Sequence, residues 1–175
     1  MPKLGIIYGS STGNTEFAAY QLKEQFDSFA NWDTEVVNIG ACSPEKMLSF
    51  QYLALGIPTW NVGELQDDWD VFFPNLPDMD FSGKKIALFG MGDQNGYGFN
   101  FLDAVGMLAD EVLLQGAEIM GLWPNSNYEF EESKAQVEDH FLGLGLDQDG
   151  QQELTSPRIK EWAQQVIGEF EGKWD

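Results

Sequence analysis

Cysteine occurs once in this chain, at Cys42, and histidine once, at His140. A single thiol excludes an internal disulfide and fits a reducing compartment. One histidine without a neighbouring set of Cys, Asp or Glu at ligand spacing gives no metal constellation, so His140 reads as a surface residue near a loop and Cys42 as a small packing residue. No apolar run approaches the roughly 18 residues that a membrane-crossing helix needs. The start, Met1-Pro2-Lys3-Leu4, runs into a strand-like segment without the basic, apolar and small-residue stretches of a signal peptide. The expectation is a soluble cytoplasmic protein. Positive charge is the other scarcity. Nine Lys and Arg face 29 Asp and Glu, for a net charge of −20. Such a surface repels phosphate backbones and anionic membranes, which argues against nucleic acid and membrane partners. It would serve solubility, and it would also steer the protein toward a basic partner. The cluster Glu129, Glu131 and Glu132 reads as a solvated acidic face.

What is present is a core former with punctuation. Hydrophobic residues make up 43% of 175 residues, and 13 Phe and 6 Trp supply bulk. No linker, repeat or low-complexity tract interrupts the chain, so residues 1–175 read as one domain. Short unalternating apolar runs at Leu4–Tyr8, Glu35–Ile39, Tyr52–Gly56, Lys85–Gly90 and Ala117–Gly121 have the character of strands buried on both faces. Between them lie helical patterns. Thr15–Phe29 spaces Phe17, Ala18, Leu22, Gln25, Phe26 and Phe29 by three and four, Ser43-Pro44-Glu45 opens a short capped helix, Phe101–Gln115 is stopped by Gly116, and Ile159–Phe170 reads as the final helix. Strand–helix alternation predicts a doubly wound α/β sandwich around a five-stranded parallel sheet, with a ligand beyond the carboxyl ends of the strands.

Three loops follow three of those strands. Gly9-Ser10-Ser11-Thr12-Gly13-Asn14-Thr15 combines hydroxyls, glycines and a helix start, which favours an anion. It has no Lys where a triphosphate-binding loop requires one, because Asn14 stands there. Neutral donors alone suit one terminal phosphate monoester; an ordinary Ser/Thr helix cap is the competing explanation. The second loop, Pro58-Thr59-Trp60-Asn61-Val62-Gly63, carries a large aromatic able to stack on a flat ligand, or to fold back over its own loop. The third, Gly90-Met91-Gly92-Asp93-Gln94-Asn95-Gly96-Tyr97, brings a second aromatic; its Gly-x-Gly start is an incomplete dinucleotide fingerprint on the wrong strand.

In these stretches the chain resembles the flavodoxins. Ser10-Ser11-Thr12-Gly13-Asn14-Thr15 is similar to their phosphate loop. Pro58 to Gln66 is similar to the loop whose tryptophan covers the flavin, and Gly92-Asp93-Gln94 with Tyr97 and Asn100-Phe101 to the loop whose tyrosine covers the other face. Roughly twenty residues, Leu122 to Phe141, separate the fifth strand from its resumption at Leu142-Gly143-Leu144, as in the long-chain flavodoxins of cyanobacteria and algae. Asp147-Gln148-Asp149 and the tail through Arg158-Ile159 resemble that group too. Met91 departs from the family's usual threonine, and Gly98-Phe99 from a more polar pair.

The resemblance implies a flavodoxin-like fold and a low-potential one-electron carrier with non-covalent FMN, standing in for ferredoxin and having no catalytic residues. Its cofactor-binding residues would be Ser10, Ser11, Thr12, Gly13, Asn14 and Thr15 on the phosphate, then Pro58, Thr59, Trp60, Asn61, Val62 and Gly63. Met91, Gly92, Asp93, Tyr97, Asn100, Phe101 and Asp149 complete the set. Implied partners are basic-surfaced redox proteins such as ferredoxin–NADP reductase, and photosystem I in a photosynthetic source, with the protein a monomer. An FMN-dependent NAD(P)H:quinone reductase is the alternative. A signalling module of the same fold would want acids after strand one, where Ser10-Ser11 stand.

Overall fold

The computed structural model describes residues 3–29 and 31–172; the Met1-Pro2 start lies outside them. Six strand segments form one parallel sheet: β1 (Lys3–Tyr8), β2 (Asp33–Asn38), β3 (Tyr52–Gly56), β4 (Lys85–Met91), β5 (Glu118–Met120) and β6 (Leu144–Leu146). Their spatial order is β2-β1-β3-β4, with β5 and β6 both on the outer edge of β4. The strand order reverses between β1 and β3, and in doubly wound sheets a crevice opens beyond such a reversal.

The edge position next to β4 is shared by two pieces. Glu118–Met120 pairs with Lys85–Ala87, and Leu144–Leu146 pairs with Phe89–Met91, both parallel. The chain leaves the sheet between them and returns at Leu144, two residues later than the sequence reading had it. The excursion carries its own three-stranded antiparallel sheet, ordered Trp123–Pro124, His140–Phe141, Gln136–Val137. Period-two patterning in strands this short is invisible against the surrounding Glu, Asn and Ser.

Among the described residues five α-helices flank the sheet: α1 (Asn14–Asp27), α2 (Pro44–Leu48), α3 (Asp67–Phe72), α4 (Asp103–Leu114) and α5 (Thr155–Phe170). Successive strand residues face opposite layers. Leu4, Ile6, Ala54, Ala87 and Phe89 pack with Leu22, Phe26, Trp162 and Val166 of α1 and α5. Ile7, Leu53, Leu55, Ile86 and Leu88 pack with Trp69, Phe72, Leu108 and Val112 of α3 and α4. Two filled layers explain why the strands read as continuous apolar runs.

Several boundaries differ from the sequence reading, each for a physical reason. Phe17, expected in the apolar stripe of α1, is 52% exposed; the buried face is Thr15, Ala18, Ala19, Leu22 and Phe26. Ile39 belongs to a 3₁₀ turn, Ile39–Ala41, held by the Asn38 side chain accepting from the Gly40 N–H. Helix α4 starts at Asp103 because Leu102 sits at φ 59, a left-handed conformation that lets Phe101 and Leu102 both drop into the core. Helix α5 starts four residues early, at Thr155. Pro157 is tolerated there because first-turn nitrogens have no intrahelical acceptor.

Candidate functional site

A cleft of about 290 Å³ opens at the carboxyl ends of β1, β3 and β4. Four loop segments wall it. The first is the hydroxyl-rich turn between β1 and α1, of which Ser10, Ser11, Thr12, Asn14 and Thr15 line the space. Gly13 turns the chain at φ 91, and its N–H donates to Ser10 Oγ at 3.0 Å. A second tie, Gly9 N–H to the Gly56 carbonyl at 3.1 Å, fastens the turn to β3. With no Lys or Arg in the loop, its donors are backbone amides at a helix start and neutral hydroxyls. Behind it, Tyr8 donates to Glu16 Oε2 at 2.6 Å. Burial, then that carboxylate, push the Tyr8 phenol up to about 12.

The second wall is a small hairpin. Thr59–Trp60 pairs antiparallel with Glu64–Leu65, and Asn61, Val62 and Gly63 make the turn. Asn61 adopts φ 48 and Gly63 φ 83, the residue types that enter the left-handed region most readily. Thr59 Oγ1 accepts from the Ala104 N–H at 3.0 Å, pinning the hairpin to the start of α4. Pro58, Thr59, Trp60 and Asn61 face the cleft. The Trp60 indole Nε1 is buried with no hydrogen-bond partner among the described residues. It is one of three such atoms among the described residues, with Trp32 Nε1 and Thr34 Oγ1, and it is closed off from the open cleft.

The third wall follows β4. Met91, Gly92, Asp93 and Tyr97 line the cleft, with Tyr97 42% exposed. Asp93 Oδ1 accepts from the Asn95 and Gly96 N–H groups, at 3.2 and 2.8 Å, and the Tyr97 N–H donates to the Asp93 carbonyl at 2.9 Å. This turn brings the tyrosine to the same cleft as Trp60. The fourth wall is Gln148 and Asp149, just beyond β6.

The cleft therefore gathers most of the residues singled out in the sequence, but not all. Gly13 shapes its loop from outside the cleft wall. Val62 is 67% exposed and lines a neighbouring groove instead. A Cβ at Gly63 would stand 2.9 Å from Asp103 Oδ2, so that glycine permits close approach of the hairpin to α4. Asn100 donates to the same carboxylate at 2.9 Å. Phe101 is 1% exposed and packs among Tyr128, Phe130 and Phe141. These three serve the loops rather than the cleft.

Sequence reasoning missed the groups that hold the loops together. Asp147, fully buried, accepts at Oδ2 from the Gln94 backbone N–H at 3.2 Å and from Gln94 Nε2 at 2.8 Å, and at Oδ1 from the Gly150 N–H at 2.8 Å. Gln94 Oε1 in turn accepts from the Glu129 N–H. The Lys134 N–H donates to Asp103 Oδ1 at 2.8 Å, and the Glu131 N–H to the Gly98 carbonyl at 2.8 Å. The segment that splits the sheet edge thus braces the tyrosine loop from outside. Gln148 was missed as a cleft residue, although its neighbour Asp149 was named. No group of three or more His, Cys, Asp or Glu able to hold a metal occurs among the described residues, nor a helix long and apolar enough to cross a membrane.

Comparison with known proteins identifies the family. A family model described as flavodoxin matches residues 6–162. The chain is 42% identical over 166 residues to a flavodoxin of Synechocystis sp., covering 95% of this chain and 96% of the relative. It is 46% identical over 167 residues to flavodoxin 1 of Salmonella typhimurium, covering 95% and 93%. Among solved structures, the flavodoxin of Fusobacterium nucleatum bound to flavin mononucleotide superposes with a TM-score of 0.90 at 28% identity, covering 97% of this chain and 99% of that one.

Proposed function

The chain belongs to the flavodoxin family, and from that premise we propose that the cleft between the Ser10–Thr15 turn, the Trp60 hairpin and the Tyr97 loop is its FMN site. The protein is an electron carrier that works through FMN, not an enzyme, and it passes electrons between redox partners. Bound FMN supplies the one-electron redox chemistry. The protein's residues bind, orient and shield it.

The observation that carries the site is the conjunction of a cation-free, hydroxyl-rich helix start and two aromatics lining one cleft. Ser10, Ser11, Thr12 and Thr15 offer neutral donors to a phosphate, and the backbone amides at the start of α1 add partial positive charge. Trp60 and Tyr97 supply planar faces for the ring. Asn61, Met91, Gly92 and Asp93, which line the same cleft, would hold the ring edge.

We assign the whole chain, 1–175, to one FMN-binding domain that acts as a cytoplasmic monomer. Its net charge of −20 supports basic-surfaced partners, of which ferredoxin–NADP reductase is the first candidate, and photosystem I where the host is photosynthetic. Removal of the flavin, followed by titration of the protein with FMN and with riboflavin, tests the site. FMN should bind orders of magnitude more tightly, since each hydrogen bond to a charged acceptor contributes about 1.5–3 kcal/mol. Equal affinities would refute a phosphate-binding role for Ser10–Thr15.

A further inference from the structure

Gln66 does not line the cleft, yet it reaches the cleft through a single atom. It caps α3 and is 3% exposed, so its carboxamide must satisfy both ends internally. Its neighbours fix which end is which. The Trp69 N–H, a donor only, faces Oε1 at 3.3 Å, while Asp68 Oδ2, an acceptor, faces Nε2 at 3.2 Å. The opposite orientation would set oxygen against carboxylate and NH₂ against N–H. In the observed one, Nε2 also donates to Ser11 Oγ at 3.2 Å.

A serine hydroxyl has one hydrogen and can otherwise donate or accept. Here Ser11 Oγ already accepts from Gln66, and Gln66 Nε2 can accept nothing in return. The Ser11 hydrogen is therefore directed away from Gln66. Ser11 is exposed and borders both the cleft and a smaller groove that holds Glu64 and Asp67; of the two, the cleft has the hydroxyl-rich helix-start lining that suits a phosphate. We propose that Gln66 is a positioning residue for phosphate recognition: it turns the Ser11 hydroxyl into a donor aimed at the FMN phosphate. The proposal rests on the assignment of this cleft as the FMN site. The scaffold keeps Gln66 in place. Trp69, fully buried, donates from Nε1 to the Gly56 carbonyl at 2.9 Å. At the end of β1, a Cβ on Gly9 would collide with Gln66 Oε1, so glycine there admits the contact.

The test compares FMN and riboflavin affinities of the full-length protein after flavin removal. Gln66→Met keeps the side chain's length but removes the donor, and should weaken FMN about tenfold, or about 1.4 kcal/mol, while leaving riboflavin unchanged. Ser11→Ala should do the same, and Gln66→Met added to Ser11→Ala should cause no further loss, since two residues that act as one are not additive. Gln66→Glu keeps an acceptor for the Trp69 N–H but offers Ser11 an acceptor too; it should also weaken FMN selectively. Riboflavin binding reports that each variant is folded. Equal losses for both ligands, additive losses in the double variant, or an unchanged FMN affinity in Gln66→Met would overturn the proposal. A wild-type protein without any preference for FMN would overturn the cleft assignment itself, and this proposal with it.

Discussion

At Asn61 the backbone sits at φ 48, in a turn that also holds Trp60 against the cleft. Glycine enters this region without steric cost but has more freedom to lose on folding, so Asn61→Gly should leave stability within about 1 kcal/mol of the parent. Proline is locked near −65° and cannot take the turn. Asn61→Pro should distort the hairpin and weaken FMN more than tenfold in a fluorescence titration; wild-type affinity would show that the hairpin does not set Trp60. Trp60→Ala should lower affinity directly, by about 0.5–1.5 kcal/mol beyond lost area, and raise flavin fluorescence. Two tyrosines give the residue scale its pH dependence. Burial raises Tyr128 to about 12, opposed by Arg158, whose guanidinium lies 4.2 Å from the ring centroid, and Tyr8 also stands at about 12. Both pKa values are raised above the unfolded value of about 10. Their contribution is therefore intact below pH 10 and is lost as pH climbs through 12. Urea midpoints should hold to pH 10 and fall above it, and Tyr128→Phe should flatten that fall.

The elements differ in how plainly the sequence announces them. Strands β1, β3 and β4 are legible because burial on both faces writes an unbroken apolar run, and α2 because Ser43 caps and Pro44 opens it. Helix α3 is not: three acids in six residues mask a buried Trp69 and Phe72. The Trp60 hairpin is two residues per strand, too short for any period. Phe101 shows the same gap within the site. Proximity to Tyr97 in sequence marks it as a cleft residue, whereas the left-handed Leu102 turns it into the core. Phe101→Ala should accordingly cost about 3–5 kcal/mol in urea unfolding. The Asp147 network is equally hidden, because it joins residues 53 positions apart. Asp147→Ala would strand the Gln94 and Gly150 donors. At about 1–3 kcal/mol for each unsatisfied group, it should rank among the most destabilising single changes outside the apolar core.

For the whole molecule the governing quantity is charge. Among the described residues the lysine–carboxylate pairs are Lys23–Asp27 and Lys46–Glu35, both at the surface and each worth about 0–1 kcal/mol. With nine Lys and Arg against 29 acids, negative charge is in large excess, and it includes Asp67, Asp68 and Asp70 in the first turn of α3 and Glu64 beside Trp60. Helix-start acids gain from the dipole, but summed over the surface they repel one another. Salt acts on this field in two opposed ways. Screening relieves self-repulsion in the native state, so the melting temperature should rise between 0.01 and 0.5 M NaCl, as the Debye length shrinks from about 30 Å to a few Å. The same screening would remove the attraction to the basic-surfaced partner proposed above, so the bimolecular electron-transfer rate should fall over the same range by about tenfold or more. Stopped-flow rates and thermal melts on one salt series would read both. A rate that falls while the melting temperature also falls would point to loss of structure. A rate that stays flat while the melting temperature rises would show that the acidic surface serves solubility and takes no part in docking.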